Sequence, residues 1–263
     1  PHFFVKRQLM WLALSVAVVF VLSRFDYHWW KETPLLPVGF YVVVVIALVL
    51  VFCPGIGGKV KGSCRWLNLG PLRMQPSEFA KILTVVAMGV WMDRIGWRVR
   101  QFWKGAFFPA AGLAVVAGLL VMEPDFGSTL VVAVAGGAMM FVVGTRLFYL
   151  AGIGLGGAAL VGTVIAANAN RMGRIMAWLH GEESTSSAAY QLQQAILAFK
   201  NGGPWGVGFN QSIQKYNYLP EAHTDFIFAI GGEEFGFTFS IAVVLAYTVI
   251  LVCGILISMR APD

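Results

Sequence analysis

Seven long apolar runs, at about 8–23, 36–53, 78–92, 106–122, 128–144, 147–167 and 226–257, set the limits on what this chain can fold into. A bilayer core offers no water to the backbone, so such a run crosses it as a helix whose peptide groups bond to one another. Several runs fall short of the roughly 20 residues of an upright crossing, and the helices are expected to extend into the flanks. The expected fold class is all-α: a polytopic helical membrane protein with about seven transmembrane spans, forming a single membrane domain over 1–263. With 58% hydrophobic and 12% charged residues, the composition excludes an ordinary soluble globule. The net charge of +6 suits membrane lipids with anionic headgroups, or an anionic substrate. No soluble basic face accompanies it, so no nucleic acid is expected as a partner. The chain opens on Pro1 and ends on Asp263 just past an apolar run, which reads as a piece of a longer protein.

Orientation follows from the loops. Residues 93–104 are short, hold Arg94, Arg98, Arg100 and Lys104, and carry the interfacial tryptophans Trp97 and Trp103, a pattern expected on the cytoplasmic side. Alternation then puts 24–35, 93–105, 145–147 and the C-terminus inside, and 1–7, 54–77, 123–127 and 168–225 outside. The outside loops nevertheless carry Lys59, Lys61, Arg65, Arg73, Arg171, Arg174, Lys200 and Lys215. Cations kept there against the usual bias are expected where an anion such as a lipid diphosphate is held; nonspecific contact with lipid phosphates is the alternative.

Glycines and prolines make 54–77 read as a series of interfacial turns, with Arg65 and Trp66 at headgroup level. Ser77 is expected to cap the next helix, and Glu78 pairs with Lys81 at helical spacing. The tight turn at 122–129 offers two readings. Asp125 or Ser128 caps the following helix, or Glu123 and Asp125 form an acidic cluster able to hold a divalent cation or orient a sugar hydroxyl. Two carboxylates without a third ligand do not define a metal site, so the metal is left unknown and no cofactor is assigned beyond that cation. Cys53, Cys64 and Cys253 show no ligand spacing, and a Cys53–Cys64 disulfide is the minor reading.

The long loop 168–225 contains Arg171 and Arg174, an acidic and hydroxyl-rich patch at 182–187, and an amphipathic helix near 189–199. Leu192, Ala195, Ile196 and Phe199 recur there at helical spacing, with Gln191 and Gln194 on the polar face. Residues 202–209 are a glycine-rich turn that lets backbone approach a partner or ligand closely. Lys215, Glu221, His223 and Asp225 then crowd together just before an apolar run. Asp225 is either a first-turn carboxylate favoured by the helix dipole or a base at the water–lipid boundary.

Arg65-Trp66, Gln75-Pro76-Ser77-Glu78, Glu123-Pro124-Asp125-Phe126-Gly127, Tyr190-Gln191-Leu192, Gly206-Val207-Gly208 and the stretch from Tyr218 to Ala229 together resemble the SEDS family (shape, elongation, division and sporulation), closer to its FtsW branch than to RodA. The resemblance implies a ten-span peptidoglycan glycosyltransferase polymerising lipid II on the outer face of the bacterial cytoplasmic (inner) membrane during division. It implies a class B penicillin-binding protein (a transpeptidase) and other division proteins as partners. The chain then covers the second to eighth spans. The family's functional aspartate falls on Asp225, as general base of an inverting transfer. Arg65, Lys59, Lys61, Arg174 and Lys215 are candidates for the diphosphate. Trp66, Gln191, Glu123, Asp125, Glu221 and His223 are further substrate-binding candidates. A lipid II flippase and a non-enzymatic division scaffold are the competing readings.

Overall fold

The computed structural model describes residues 2–26, 28–53, 55–60, 63–69, 72–167, 172, 187–216, 219 and 224–260. Lys61, Arg171, Arg174, the patch at 182–186, Glu221 and His223 lie outside the described residues. The chain divides into two compact units, 1–156 and 157–263.

In the first unit the helices are α1 (His2–Ser23), the short α2 (His28–Glu32), α3 (Leu35–Leu50), α4 (Pro76–Ile95), α5 (Phe108–Met122) and α6 (Phe126–Val143). A 3-10 turn at Gly96–Arg100 and a π-helical turn at Phe102–Phe107 join α4 to α5. Helix α7 (Leu147–Ala166) runs across the boundary between the units. In the second unit lie α8 (Ser187–Gly202) and α9 (Ile227–Arg260).

Each of the seven apolar runs falls on one of these helices. Five segments are long and apolar enough to cross a membrane: Val5–Ser23, Phe102–Met122, Phe126–Val143, Leu147–Ala166 and Ile227–Arg260. Helix α3 is apolar but only 16 residues long. Helix α4 has the length, but it carries Glu78 and Lys81 near one end and Asp93 and Arg94 at the other. The chain is a multi-pass membrane protein.

The core of the first unit is built by α3 to α6. Val44 and Leu48 of α3, Met88 and Met92 of α4, Val116 and Leu120 of α5, and Val132 and Met140 of α6 are buried together. Gly136 of α6 admits Leu113 so closely that a Cβ there would lie 2.4 Å from Leu113 Cδ1, the small-residue contact that brings membrane helices together. By contrast α7 buries none of its residues, and α1 is exposed along its described side chains. Apart from Lys6, Arg7 and Gln8 at the start of α1, both are almost wholly apolar, as surface meeting hydrocarbon rather than water must be.

Three expectations change here. The stretch 54–77 contains an antiparallel sheet of β1 (Gly57–Val60), β2 (Ser63–Leu69) and β3 (Leu72–Met74), in the order β1-β2-β3 with a bulge at Gly58/Lys59. The glycines that suggested turns serve the bulge and close approach: a Cβ on Gly57 would sit 1.9 Å from the Val51 carbonyl oxygen. Ser77 does not cap α4. The helix starts at Pro76 after Gln75, and Ser77 is buried, with its hydroxyl accepting from Gln75 Nε2 at 2.9 Å. Proline suits that first position because its missing N–H would have had no intrahelical partner. The third change is in α9, which is broken at Gly236 (φ 76°, ψ −168°) rather than continuous. The Glu78–Lys81 pair forms at 2.8 Å, and all three cysteines are free.

In the first unit, loops expected on the same side of the membrane touch each other, one pair expected outside and one expected inside. Arg65 of β2 reaches the 123–125 turn, and Thr145 Oγ1 donates to the Gly105 carbonyl at 3.1 Å.

Candidate functional site

In the first unit the sheet holds Arg65 against the turn between α5 and α6. Arg65 Nε donates to the Glu123 carbonyl at 3.1 Å, and Nη2 donates to the Pro124 carbonyl. A guanidinium carries five N–H donors in a rigid fork, so two carbonyls orient it and leave donors for an anion. Asp125 is the N-cap of α6: its Oδ1 accepts from Ser128 N at 3.2 Å, which settles the choice between Asp125 and Ser128. Its neighbour Glu123 is in the opposite condition. It is fully buried, and neither carboxylate oxygen has a hydrogen-bond partner among the described residues. Burial is the main reason its acid is held up to about 8; the charge of Asp125 adds to this and that of Arg65 opposes it. Glu123 therefore holds its proton to a higher pH than an ordinary glutamate, beside Asp125, which serves as a helix cap. Trp66, half-buried, neighbours Arg65 on β2, and Lys59 lies on β1. Among the described residues no group of three or more His, Cys, Asp or Glu is placed to hold a metal.

In the second unit Asp225 is exposed, in the turn that leads into α9 at Ile227. Helix α8 packs on α9 through small residues. Ala195 and Ala198 pack with Ala229, and a Cβ on Gly202 would lie 2.1 Å from the Gly232 carbonyl oxygen. Phe199 meets Phe228 edge-on, with ring centroids 5.5 Å apart. Gln191 is half-buried on α8.

The glycine-rich turn after α8 does approach a partner closely, and the partner is the break in α9. A break frees backbone carbonyls before it and N–H groups after it, which in a membrane need replacement partners. Here the turn supplies them. Val207 N and Gly208 N donate to the carbonyls of Glu233 and Glu234, both at 3.0 Å, while Phe237 N donates to the Gly203 carbonyl at 2.9 Å. Gly206 and Gly236 both have positive φ, and a Cβ on Gly236 would lie 2.4 Å from Gly206 N. Only glycine fits at that crossing.

The residues that sequence reasoning missed sit at this break. Glu233 is fully buried and Glu234 nearly so. Glu233 accepts from Ser212 Oγ, from Ile213 N and Gln214 N at 3.3 Å each, and from Asn201 Nδ2 at 3.4 Å. Glu234 Oε1 pairs with Lys215 Nζ at 2.6 Å, and the same ammonium donates to Asn210 Oδ1 at 2.7 Å. Lys215, expected at the diphosphate, therefore has its charge engaged within its own unit. The signal was present: two adjacent carboxylates between Gly232 and Gly236 in an otherwise apolar run are costly in a membrane unless bonded, and mark a built site.

A family model described as cell cycle protein, for FtsW, RodA and SpoVE, matches residues 1–263. The chain is 37% identical over 263 residues to a probable peptidoglycan glycosyltransferase FtsW of Trichlorobacter lovleyi, an alignment covering 99% of this chain and 68% of that one. It is also 37% identical to the protein of the same description from Saccharophagus degradans (99% and 67% covered), and 36% identical to that of Pseudomonas fluorescens (97% and 62%). The chain thus spans about two thirds of the length of these relatives. Its fold is similar to a chain of a peptidoglycan synthase complex that coordinates polymerization and crosslinking, with TM-score 0.74, 24% identity, and 98% of this chain and 70% of that chain covered. It is likewise similar to the rod shape determining protein RodA of Thermus thermophilus, with TM-score 0.62, 24% identity, and 98% and 66% covered.

Proposed function

Because the chain belongs to the FtsW, RodA and SpoVE family of cell cycle proteins, we propose that the full-length protein is a peptidoglycan glycosyltransferase. In this reading it polymerises lipid II at the outer face of the bacterial cytoplasmic membrane, beside a class B penicillin-binding protein. The observation that carries the reading is the contrast among carboxylates in 157–263. Of the described ones, Glu233 and Glu234 are buried and bonded, whereas Asp225 is exposed where α9 begins. An exposed carboxylate beside the membrane is where a sugar hydroxyl could lose its proton.

The chemistry needs one such base. The 4-hydroxyl of the acceptor sugar gives its proton to Asp225 as its oxygen attacks the anomeric carbon of the donor, and the lipid diphosphate leaves from the opposite face. An α-linked donor then yields a β-1,4 bond by inversion, with no covalent enzyme intermediate. Positioned base catalysis of this kind contributes roughly 10²–10⁴-fold. The departing diphosphate gathers negative charge that cations must meet. Arg65 is a candidate, oriented by two backbone carbonyls and with donors to spare. Lys59, Lys61 and Arg174 remain candidates on charge alone.

Transport would call for ionisable groups lining a path through the spans. The two carboxylates that α9 carries are instead consumed by bonds to their own loop, which supports surface chemistry over a flippase. The test is direct: full-length protein with its penicillin-binding partner receives purified lipid II, beside Asp225→Asn. Glycan polymer from the wild type and none from the variant is expected. Polymer formed equally by a folded Asp225→Asn protein would refute the assignment; lipid II flipping without polymer would favour transport.

A further inference from the structure

We infer that the Lys215–Glu234 pair, backed by the Glu233 cradle, is a clamp that positions Asp225, and that Lys215 acts in the reaction as a positioning residue rather than as a ligand of the substrate. This inference rests on the reading of Asp225 as general base.

The geometry is that of a closed neck. Lys215 lies ten residues before Asp225 and Glu234 nine residues after it, and their side chains meet at 2.6 Å. The stretch that carries the base is thus tied at both ends to one point. Glu233 ties the same point from the other side, because the backbone N–H groups of Ile213 and Gln214, just ahead of Lys215, both donate to its carboxylate. Ser212 Oγ links the two halves: it donates to Glu233 and accepts from Lys215 N at 3.2 Å. Below the neck, the 203–208 turn is bonded into the break at Gly236. Every group in the cradle belongs to one unit and none of its bonds needs a substrate. A buried carboxylate whose partner is removed is left uncompensated, so the pair can let go only at considerable cost. A base held by such a neck is restricted in where it can meet an incoming hydroxyl, and misplacement by about 1 Å can cost on the order of 10²-fold in rate.

The two roles for Lys215 separate in kinetics. With the full-length protein, its penicillin-binding partner and purified lipid II, a positioning role predicts that Lys215→Met lowers kcat by about tenfold to a hundredfold with KM for lipid II little changed. Lys215→Arg, which keeps the charge and folds without stranding Glu234, should retain most of the rate, and the exchanged pair K215E/E234K should recover part of what Lys215→Met loses. Hydrogen exchange supplies a readout independent of activity: peptides containing residues 224–228 should exchange faster in Lys215→Met and Glu234→Gln than in the wild type. A raised KM with unchanged kcat would overturn the clamp in favour of direct diphosphate binding. Unchanged exchange at 224–228 would overturn it whatever the kinetics, and faster exchange with unchanged kcat would remove its bearing on catalysis. Polymer from the wild type, none from Asp225→Asn and an unaffected Lys215→Met would defeat the clamp alone; no polymer from the wild type would defeat the base assignment and the clamp with it.

Discussion

Glu123→Gln tests the electrostatics of the turn beneath Arg65. The buried acid has an ordinary value of 4.5 and is held at about 8 in the folded protein. A raised carboxyl binds its proton more tightly folded than unfolded. Its contribution is therefore fully favourable below 4.5, and stability declines as pH rises from there, levelling off above 8. Each tenfold change in proton affinity is worth about 1.4 kcal/mol, so the whole difference amounts to at most roughly 5 kcal/mol, about 3 of it already lost at pH 7, and screening by water near the turn reduces both. The glutamine amide has nearly the shape of the protonated acid and never ionises. It brings its own unpartnered groups, but that cost does not vary with pH, so the slope rather than the offset carries the test. Melting temperatures of the full-length protein in lipid nanodiscs from about pH 5 to about pH 9 should fall for the wild type and stay nearly flat for Glu123→Gln, with the variant gaining on the wild type as pH rises. An infrared carbonyl band of a protonated carboxylic acid, present at pH 7 and missing in the variant, should accompany this. Parallel melting profiles with no difference in that band would show that Glu123 is ionised and that burial does not govern it.

Gly236→Ala should lower the melting temperature and the yield of folded protein, by about 1–3 kcal/mol from the positive φ alone and more because its Cβ would meet Gly206 N and Pro204; a normal melt would show that the turn can withdraw freely. Asp125→Ala removes the α6 cap and should cost about 0.5–2 kcal/mol in the same melting assay, with no loss if another group caps the Ser128 amide.

The apolar runs made most of the helical fold legible because hydrocarbon leaves the backbone little choice. The 147–167 run and the helix Leu147–Ala166 nearly coincide for that reason. The small sheet was not legible. In Ser63-Cys64-Arg65-Trp66-Leu67-Asn68-Leu69 polar and apolar residues do not alternate cleanly: Leu67 is buried, while the half-buried Arg65 is spent on the 123–125 turn. Asp225 was legible as a position, since charged residues gather around it in an apolar chain. The Lys215–Glu234 pair was not, because the partner of Lys215 is nineteen residues further on and hidden inside a run whose hydrophobicity reads as uninterrupted span. Glu123 was found as a candidate, but the upward shift of its acid comes from burial, which spacing does not reveal.

The turn at 203–208 also bears on how the chain can vary between relatives. Loops ordinarily absorb insertions and deletions because their backbone bonds to water. Here Gly203, Val207 and Gly208 each bond a fixed atom of α9. One residue gained or lost between Gly203 and Gly208 would slide those groups out of register with both halves of the break. This stretch should therefore be as intolerant of length change as the interior of a helix, and chimeras that exchange it between relatives should assemble only when its length is kept.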